Sequence, residues 1–269
     1  MSRFTKQLII GCIFTLIVTG GILSIYGFFT PDPTCFDNIQ NQGEDGIDCG
    51  LVCGILCLPA PEALEIKASQ ILSTGEQEYD FVLQISNPNT IYGSEDIAYE
   101  IIFINLGGQE ITRRSGTFYI LPGQTRFIIE TKISSSDIPQ VGQVALGEPA
   151  WFRIQGPEGV VDFPLKREQY RKVRDNLHEF EAVILNNSDF DFDQVDVAVL
   201  LVGEGGSLVG ATKTNIRTIL ARSERGFKVS WPFVVSSEVA RVQVEATTNV
   251  FKNSNFIRTY GAPERFQSF

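Results

Sequence analysis

Residues 183–220, VILNNSDFDFDQVDVAVLLVGEGGSLVGATKTNIRTIL, carry the architecture of the chain. Val195, Val197, Val199 and Leu201 recur at every second position, the period of a strand with one buried face. Phe180, Ala182 and Ile184 lead in with the same period, and Gly205-Gly206 breaks it as a turn. About 98 to 100 residues earlier the same order of events is already written. Tyr79, Phe81, Leu83 and Ile85 alternate with polar neighbours, Ile97, Tyr99, Ile101 and Phe103 follow, and Gly107-Gly108 ends the run. Farther on, Leu121 matches Leu220, and Phe127 matches Phe227 with a small slip. This is an internal duplication.

A period near 100 residues is too long for a solenoid and is the size of one whole β-sandwich. Short strands, closely spaced turns and no convincing amphipathic helix in this part point the same way. The expected fold is mostly β, with two tandem Ig/Fn3-like sandwiches over residues 62–160 and 161–269. Trp151 and Trp231 are expected to anchor the two cores.

The second copy resembles the FxLyD-type extracellular β-sandwich. The shared pattern is an Asn-containing first strand, a V-x-V-x-V strand, a Gly turn and a V-x-G strand. The first copy matches with ISNPN (85–89), IAYEIIFINLGGQEI (97–111) and YILPGQTRFII (119–129). Leu121-Pro122-Gly123 fits the family's turn, whereas Ala221-Arg222 departs from it. The matching residues are packing and turn residues, so the resemblance implies a binding or spacer module with no catalytic residues to carry over.

At the start of the chain, residues 8–29 (LIIGCIFTLIVTGGILSIYGFF) hold no charge. As a helix they span about 33 Å, enough to cross a hydrocarbon core of about 30 Å. Arg3 and Lys6 precede the segment, while Asp32, Asp37, Glu44, Asp45 and Asp48 follow it. The expected topology is a single pass through the plasma membrane, with residues 1–7 cytoplasmic and the remainder extracytoplasmic. A cleaved signal peptide is disfavoured by the length of the run and by the lack of an A-x-A site. Ile9-Ile10-Gly11-Cys12 imitates a lipoprotein box but lies ahead of the apolar stretch rather than after it. Gly20 and Ser24 form a small-xxx-small pair, a weak helix-association signal.

Residues 30–61 read as a cysteine-rich stem. Four of the five cysteines, Cys35, Cys49, Cys53 and Cys57, fall within 23 residues, and Cys12 lies inside the apolar helix. On the oxidising side of a membrane an even set implies two disulfides, in one of three pairings. A four-cysteine zinc site is the rival. Asp37, Asn41, Glu44 and Asp48 supply closely spaced oxygens on a Gly-bent loop, a ligand set for calcium. The plainer reading is that Asp, Asn and Gly are turn formers. The stretch also resembles the exported bacterial motif C-x-D-G-x-x-N-x-x-E-x-G-x-D-C-G-x-x-C. Cys35, Asp37, Asn41, Glu44, Gly46, Asp48, Cys49, Gly50 and Cys53 match, and Asn38 stands where Gly is usual. That implies an exported, stapled module without identifying a ligand.

Other candidate chemistry resolves into structure. Asp189, Asp191 and Asp193 alternate with Phe190 and Phe192, but Gln194 and Leu200 stand where an EF-hand loop needs Gly and Glu. Gly203-Glu204-Gly205-Gly206 lacks the third glycine of a dinucleotide fingerprint, with Leu208 in its place. No G-x-S-x-G or S-x-x-K motif occurs. The single histidine, His178, excludes a multi-His metal site and reads as a surface or strand-entry residue. Lys166, Arg167, Arg171, Lys172 and Arg174 cluster between the copies, favoured as a solvated strand over a patch for acidic polymers or lipid headgroups. The 269-residue chain has a formal net charge of −10, which argues against nucleic acid.

The resulting expectation is a non-enzymatic, membrane-anchored binding or envelope-scaffold protein whose partner is an unidentified envelope protein or polymer. Calcium is the sole candidate cofactor. The alternatives are a structural subunit of a membrane complex held through its anchor helix and, more remotely, a carboxylate-dependent hydrolase.

Overall fold

The computed structural model describes residues 3–29, 35–41, 43–154 and 161–261, with residues 27–29 described by their backbone alone. Asp32 of the acidic flank and the domain boundary expected at residue 160 lie outside them. The chain divides into two compact units, Met1–Ala60 and Pro61–Phe269.

The first unit begins with helix α1 (Arg3–Phe29), long and apolar enough across Arg3–Tyr26 to be a candidate membrane span or signal. Two of its threonines bond to its own backbone. Thr15 Oγ1 donates to the Gly11 carbonyl at 2.9 Å and Thr19 Oγ1 to the Thr15 carbonyl at 2.8 Å. That bonding suits a helix with no water beside it.

In the second unit, β1 (Glu65–Gly75), β2 (Glu78–Ser86) and β5 (Thr125–Ser134) form one antiparallel sheet in the order β1-β2-β5. The facing sheet has the order β4-β3-β6, from β3 (Tyr92–Ile104), β4 (Glu110–Ile120) and β6 (Val141–Leu146), with β7 (Trp151–Arg153) also paired to β3. The later residues repeat this wiring. The strands β8 (Leu165–Arg174), β9 (Leu177–Leu185) and β12 (Glu224–Trp231) form a sheet ordered β12-β9-β8. Opposite it lies β11-β10-β13, from β10 (Phe192–Gly203), β11 (Leu208–Ile219) and β13 (Val239–Thr247). Each pair of sheets encloses its own core. Phe81, Leu83, Ile97, Ile101 and Phe103 fill the first, and Phe180, Ile184, Val195, Val199 and Trp231 the second.

The duplication holds at the level of register, with two adjustments. Leu83 pairs with Ile128, as Ala182 pairs with Phe227. Ile128, rather than the expected Phe127, therefore occupies the place of Phe227. Likewise Tyr79 pairs with Ile133 as His178 pairs with Trp231. Trp231 is wholly buried and touches the position a Cβ would take at Gly210, which explains the glycine of the V-x-G strand. Trp151 does not mirror it. That side chain is only half-buried, on the short strand β7, and Ile133 fills the equivalent core position.

The alternation in β2 implies one solvent-facing side, yet Asp80 and Val82 are buried as well. The outward face of β1-β2-β5 is covered by the outward face of β11-β10-β13. Leu72, Val82 and Ile129 pack there against Leu200 and Ala211 in a cluster separate from either sandwich core. A second joint is built by the residues after β13. A 3-10 turn at Val250–Lys252 and helix α2 (Ser254–Tyr260) bury Val250, Phe251, Phe256 and Ile257 against Tyr119, Leu121 and Ile154. Asn253 caps α2, its side-chain oxygen accepting from the Asn255 and Phe256 amides.

Candidate functional site

Two places gather the residues that the sequence singles out. The first is the stem. Cys35 is bonded to Cys53 and Cys49 to Cys57, so the pairing is settled and all four thiols are withdrawn from any zinc site. Asp37, Asn41, Glu44 and Asp48 are brought onto one small loop, where the three carboxylates accept from backbone amides. Asp48 accepts from the Asp37 and Asn38 amides at 3.0 and 2.9 Å. Buried Glu44 accepts from the Asn41 and Asp48 amides through Oε2, at 3.2 and 3.3 Å, and its Oε1 lies 3.2 Å from Cys53 Sγ. Asp37 accepts from the Ile39 amide and from Asn41 Nδ2, both at 2.9 Å. Asn41 Oδ1 is buried without a hydrogen-bond partner. The one group of three His, Cys, Asp or Glu ligand atoms within 4.8 Å among the described residues is Cys35, Glu44 and Cys53. Two of its members are already joined to each other.

This geometry accounts for the residues of the loop. Asn38 has φ 58°, the left-handed conformation that Asn tolerates. Gly50, at φ 122°, has Asp45 N only 2.7 Å from where a Cβ would sit. The carboxylates replace the missing core of a loop too short to have one, by tying its amides down.

The second place is the junction between the sandwiches, a crevice of about 580 Å³. Glu95 and Asp96 line it from the first sandwich, and Asp191, Asp193 and Asp196 from the second, with Lys252 on the segment after β13. Arg126 and Tyr119 also line it. The Arg126 guanidinium stacks over the Tyr119 ring at 4.0 Å, donates to the Tyr119 carbonyl at 2.6 Å and lies 3.6 Å from Asp196 Oδ2. Tyr119 Oη donates to the same Asp196 oxygen at 3.1 Å, and burial holds that phenol above its ordinary pKa. Beside this network, Glu245 accepts from the Phe127 amide at 2.8 Å. Burial raises its carboxyl to about 7, helped by the negative charge of Asp196 and opposed by Arg126 and the Phe127 amide. No sequence signal marks Glu245 or Arg126. Glu245 looks like an ordinary outward-facing strand residue until the other sandwich covers it, whereas Arg126, paired with the core residue Ile85, lies on the inward side of β5 near its end, beside Tyr119.

The remaining candidates have structural roles. Asp189, Asp191 and Asp193 are exposed while Phe192 is buried, as alternation implies, but strand β10 starts only at Phe192. Asp191 accepts from the Ala221 amide at 2.7 Å, and Asp189 pairs with Arg222 at 2.8 Å. Glu204–Gly206 form a 3-10 turn between β10 and β11. His178 is the strand-entry residue of β9, buried rather than on the surface. Its Nδ1 is 2.6 Å from Tyr170 Oη and its Nε2 is 3.3 Å from the Asp175 carbonyl. The basic cluster lies on β8, an edge strand, where Lys166 pairs with Glu224, Arg171 with Glu179 and Glu181, and Lys172 with Asp175. These pairs hold the Glu224 and Asp175 carboxyls below their ordinary pKa.

No family model matches the chain, and no curated protein matches it. Among solved structures, red sea bream transglutaminase is similar at a TM-score of 0.22 and 11% identity, over 73% of this chain and 32% of that one. The chain thus spans about a third of that protein's length, and a likeness at this level says nothing of activity.

Proposed function

We propose that this chain is a non-enzymatic, membrane-anchored extracytoplasmic protein that binds an envelope protein or polymer, or scaffolds the envelope. The observation that carries the reading is the packing of two like-wired sandwiches into one body. Their sheets share the Leu72–Val82–Ile129–Leu200–Ala211 cluster, and the polar crevice beside it takes residues from both. Two modules fused in this way present a single fixed surface, which suits recognition better than two modules on a flexible tether. The disulfides of the stem and the apolar α1 fit an oxidising, membrane-proximal setting.

The test is lysine-directed cross-linking in intact cells followed by mass spectrometry. Lys252 at the crevice and Lys213 at the sandwich joint serve as reporters. Recurrent links from Lys252 to one envelope component support recognition at the crevice. Links confined to the N-terminal segment around Lys6 instead favour a passive subunit held by its helix, an arrangement that the Gly20–Ser24 pair would suit.

A further inference from the structure

The stem is inverted relative to an ordinary small domain. Its carboxylates Glu44, Asp45 and Asp48 turn toward backbone amides, while its large apolar side chains face outward. Leu51 is 95% exposed, Leu56 82% and Phe36 87%, with Val52 and Ile55 also exposed. Four of these five lie on one loop, closed by the Cys49–Cys57 disulfide and by the bond from the Gly50 amide to the Ile55 carbonyl at 2.7 Å. From Cys49 to Pro61 the sequence contains no charged residue. A loop stapled at its base cannot fold these side chains inward, and water is a poor neighbour for so many clustered aliphatic groups.

We infer that the 50–57 loop is a membrane foot, with Leu51, Val52, Ile55 and Leu56 seated in the interfacial layer of the bilayer that α1 crosses. The inference rests on the anchor reading above. The tether selects this occupant: only residues 30–34 separate Phe29, the end of α1, from Cys35. Such a linker reaches at most about 20 Å, so the loop stays within reach of the headgroup layer whatever path the linker takes. An uncharged aliphatic loop suits that layer, and the charges that would oppose entry are already spent on the loop's own backbone.

The test uses the full chain in phosphatidylcholine–phosphatidylglycerol vesicles. A photoreactive p-benzoylphenylalanine replaces Leu56 in one sample and Leu16, within α1, in another. The expected result is acyl-chain adducts at both positions, with those at 56 lost in a Leu51→Asp background and those at 16 unchanged. Lipid adducts at 16 without any at 56 overturn the foot and leave the anchor standing. Adducts from 56 to a second copy of the chain overturn it in favour of self-association. Absence of lipid adducts at 16 removes the anchor, and the foot with it.

Discussion

Asn87 and Asn186 occupy the same corner of the two sandwiches and make the same bonds. Asn87 Nδ2 donates to the Tyr92 carbonyl at 2.7 Å and to the Leu121 carbonyl at 2.9 Å. Asn186 Nδ2 donates to the Phe190 carbonyl at 2.7 Å and to the Leu220 carbonyl at 3.0 Å. Each Oδ1 accepts an amide two residues on, from Asn89 and Ser188 respectively. Both residues are buried, and both tie the end of one sheet to the turn of the other. Asn87→Ala and Asn186→Ala each strand two carbonyls and an amide. Each is expected to lower unfolding free energy by about 1–3 kcal/mol, read from urea midpoints at unchanged slope. A loss at only one site would show that the two corners are not equivalent.

Leu200 faces away from its own core yet is wholly buried, because the first sandwich covers it. Leu200→Ala is expected to cost about 2–5 kcal/mol, like Leu201→Ala inside the core. An effect within about 0.5 kcal/mol, the size typical of a surface position, would mean that the sandwiches do not pack in solution.

Glu245 carries a pH signature. Its folded value of about 7 lies above the ordinary 4.5, so its contribution to stability is fully present below pH 4.5 and is lost as pH rises through 7. Glu245→Gln keeps an oxygen for the Phe127 amide and removes the buried charge. Wild type and variant should melt alike near pH 5, and the variant should be the more stable at pH 8, by up to about 3 kcal/mol. A constant offset across that range would place Glu245 in water.

Calcium is expected to leave melting unchanged. The ion takes about 6–8 oxygen ligands. The carboxylates of Asp37, Glu44 and Asp48 are engaged with amides, leaving Asn41 Oδ1 as the unpartnered buried oxygen. A rise in midpoint on adding calcium, reversed by chelator, would assign these residues as ligands instead.

Reducing both disulfides should release the stem alone. Their loops span 18 and 8 residues, and bonds of this kind contribute about 2–4 kcal/mol each. Limited proteolysis should then cut between residues 35 and 60 while the melting of residues 61–261 holds, since these belong to separate compact units. A matching fall in the second unit would contradict that division.

Much of this was legible in residue order alone. A two-residue period marks strands because side chains alternate across a pleat, and its recurrence near 100 residues marks two copies of one wiring. The uncharged run of α1 and the clustered cysteines are equally local signals. The pairing of Cys35 with Cys53 was not legible, because all three pairings satisfy the same spacing. Trp151 was misplaced for a related reason: composition says that an aromatic seeks a core, and only the register shows Ile133 already there.

Neighbouring residues alone specify the set of elements and the inward face of most strands, though not of β5, where Ile128 rather than Phe127 points to the core. Which outward faces are covered is settled only by how the sheets pack in three dimensions. Val82, Leu200 and Glu245 read as solvent-side positions along the chain. They became interior when one sheet was laid on another, and burial set their energetics. That contact joins residues as far apart as Phe127 and Glu245, with no periodicity linking them.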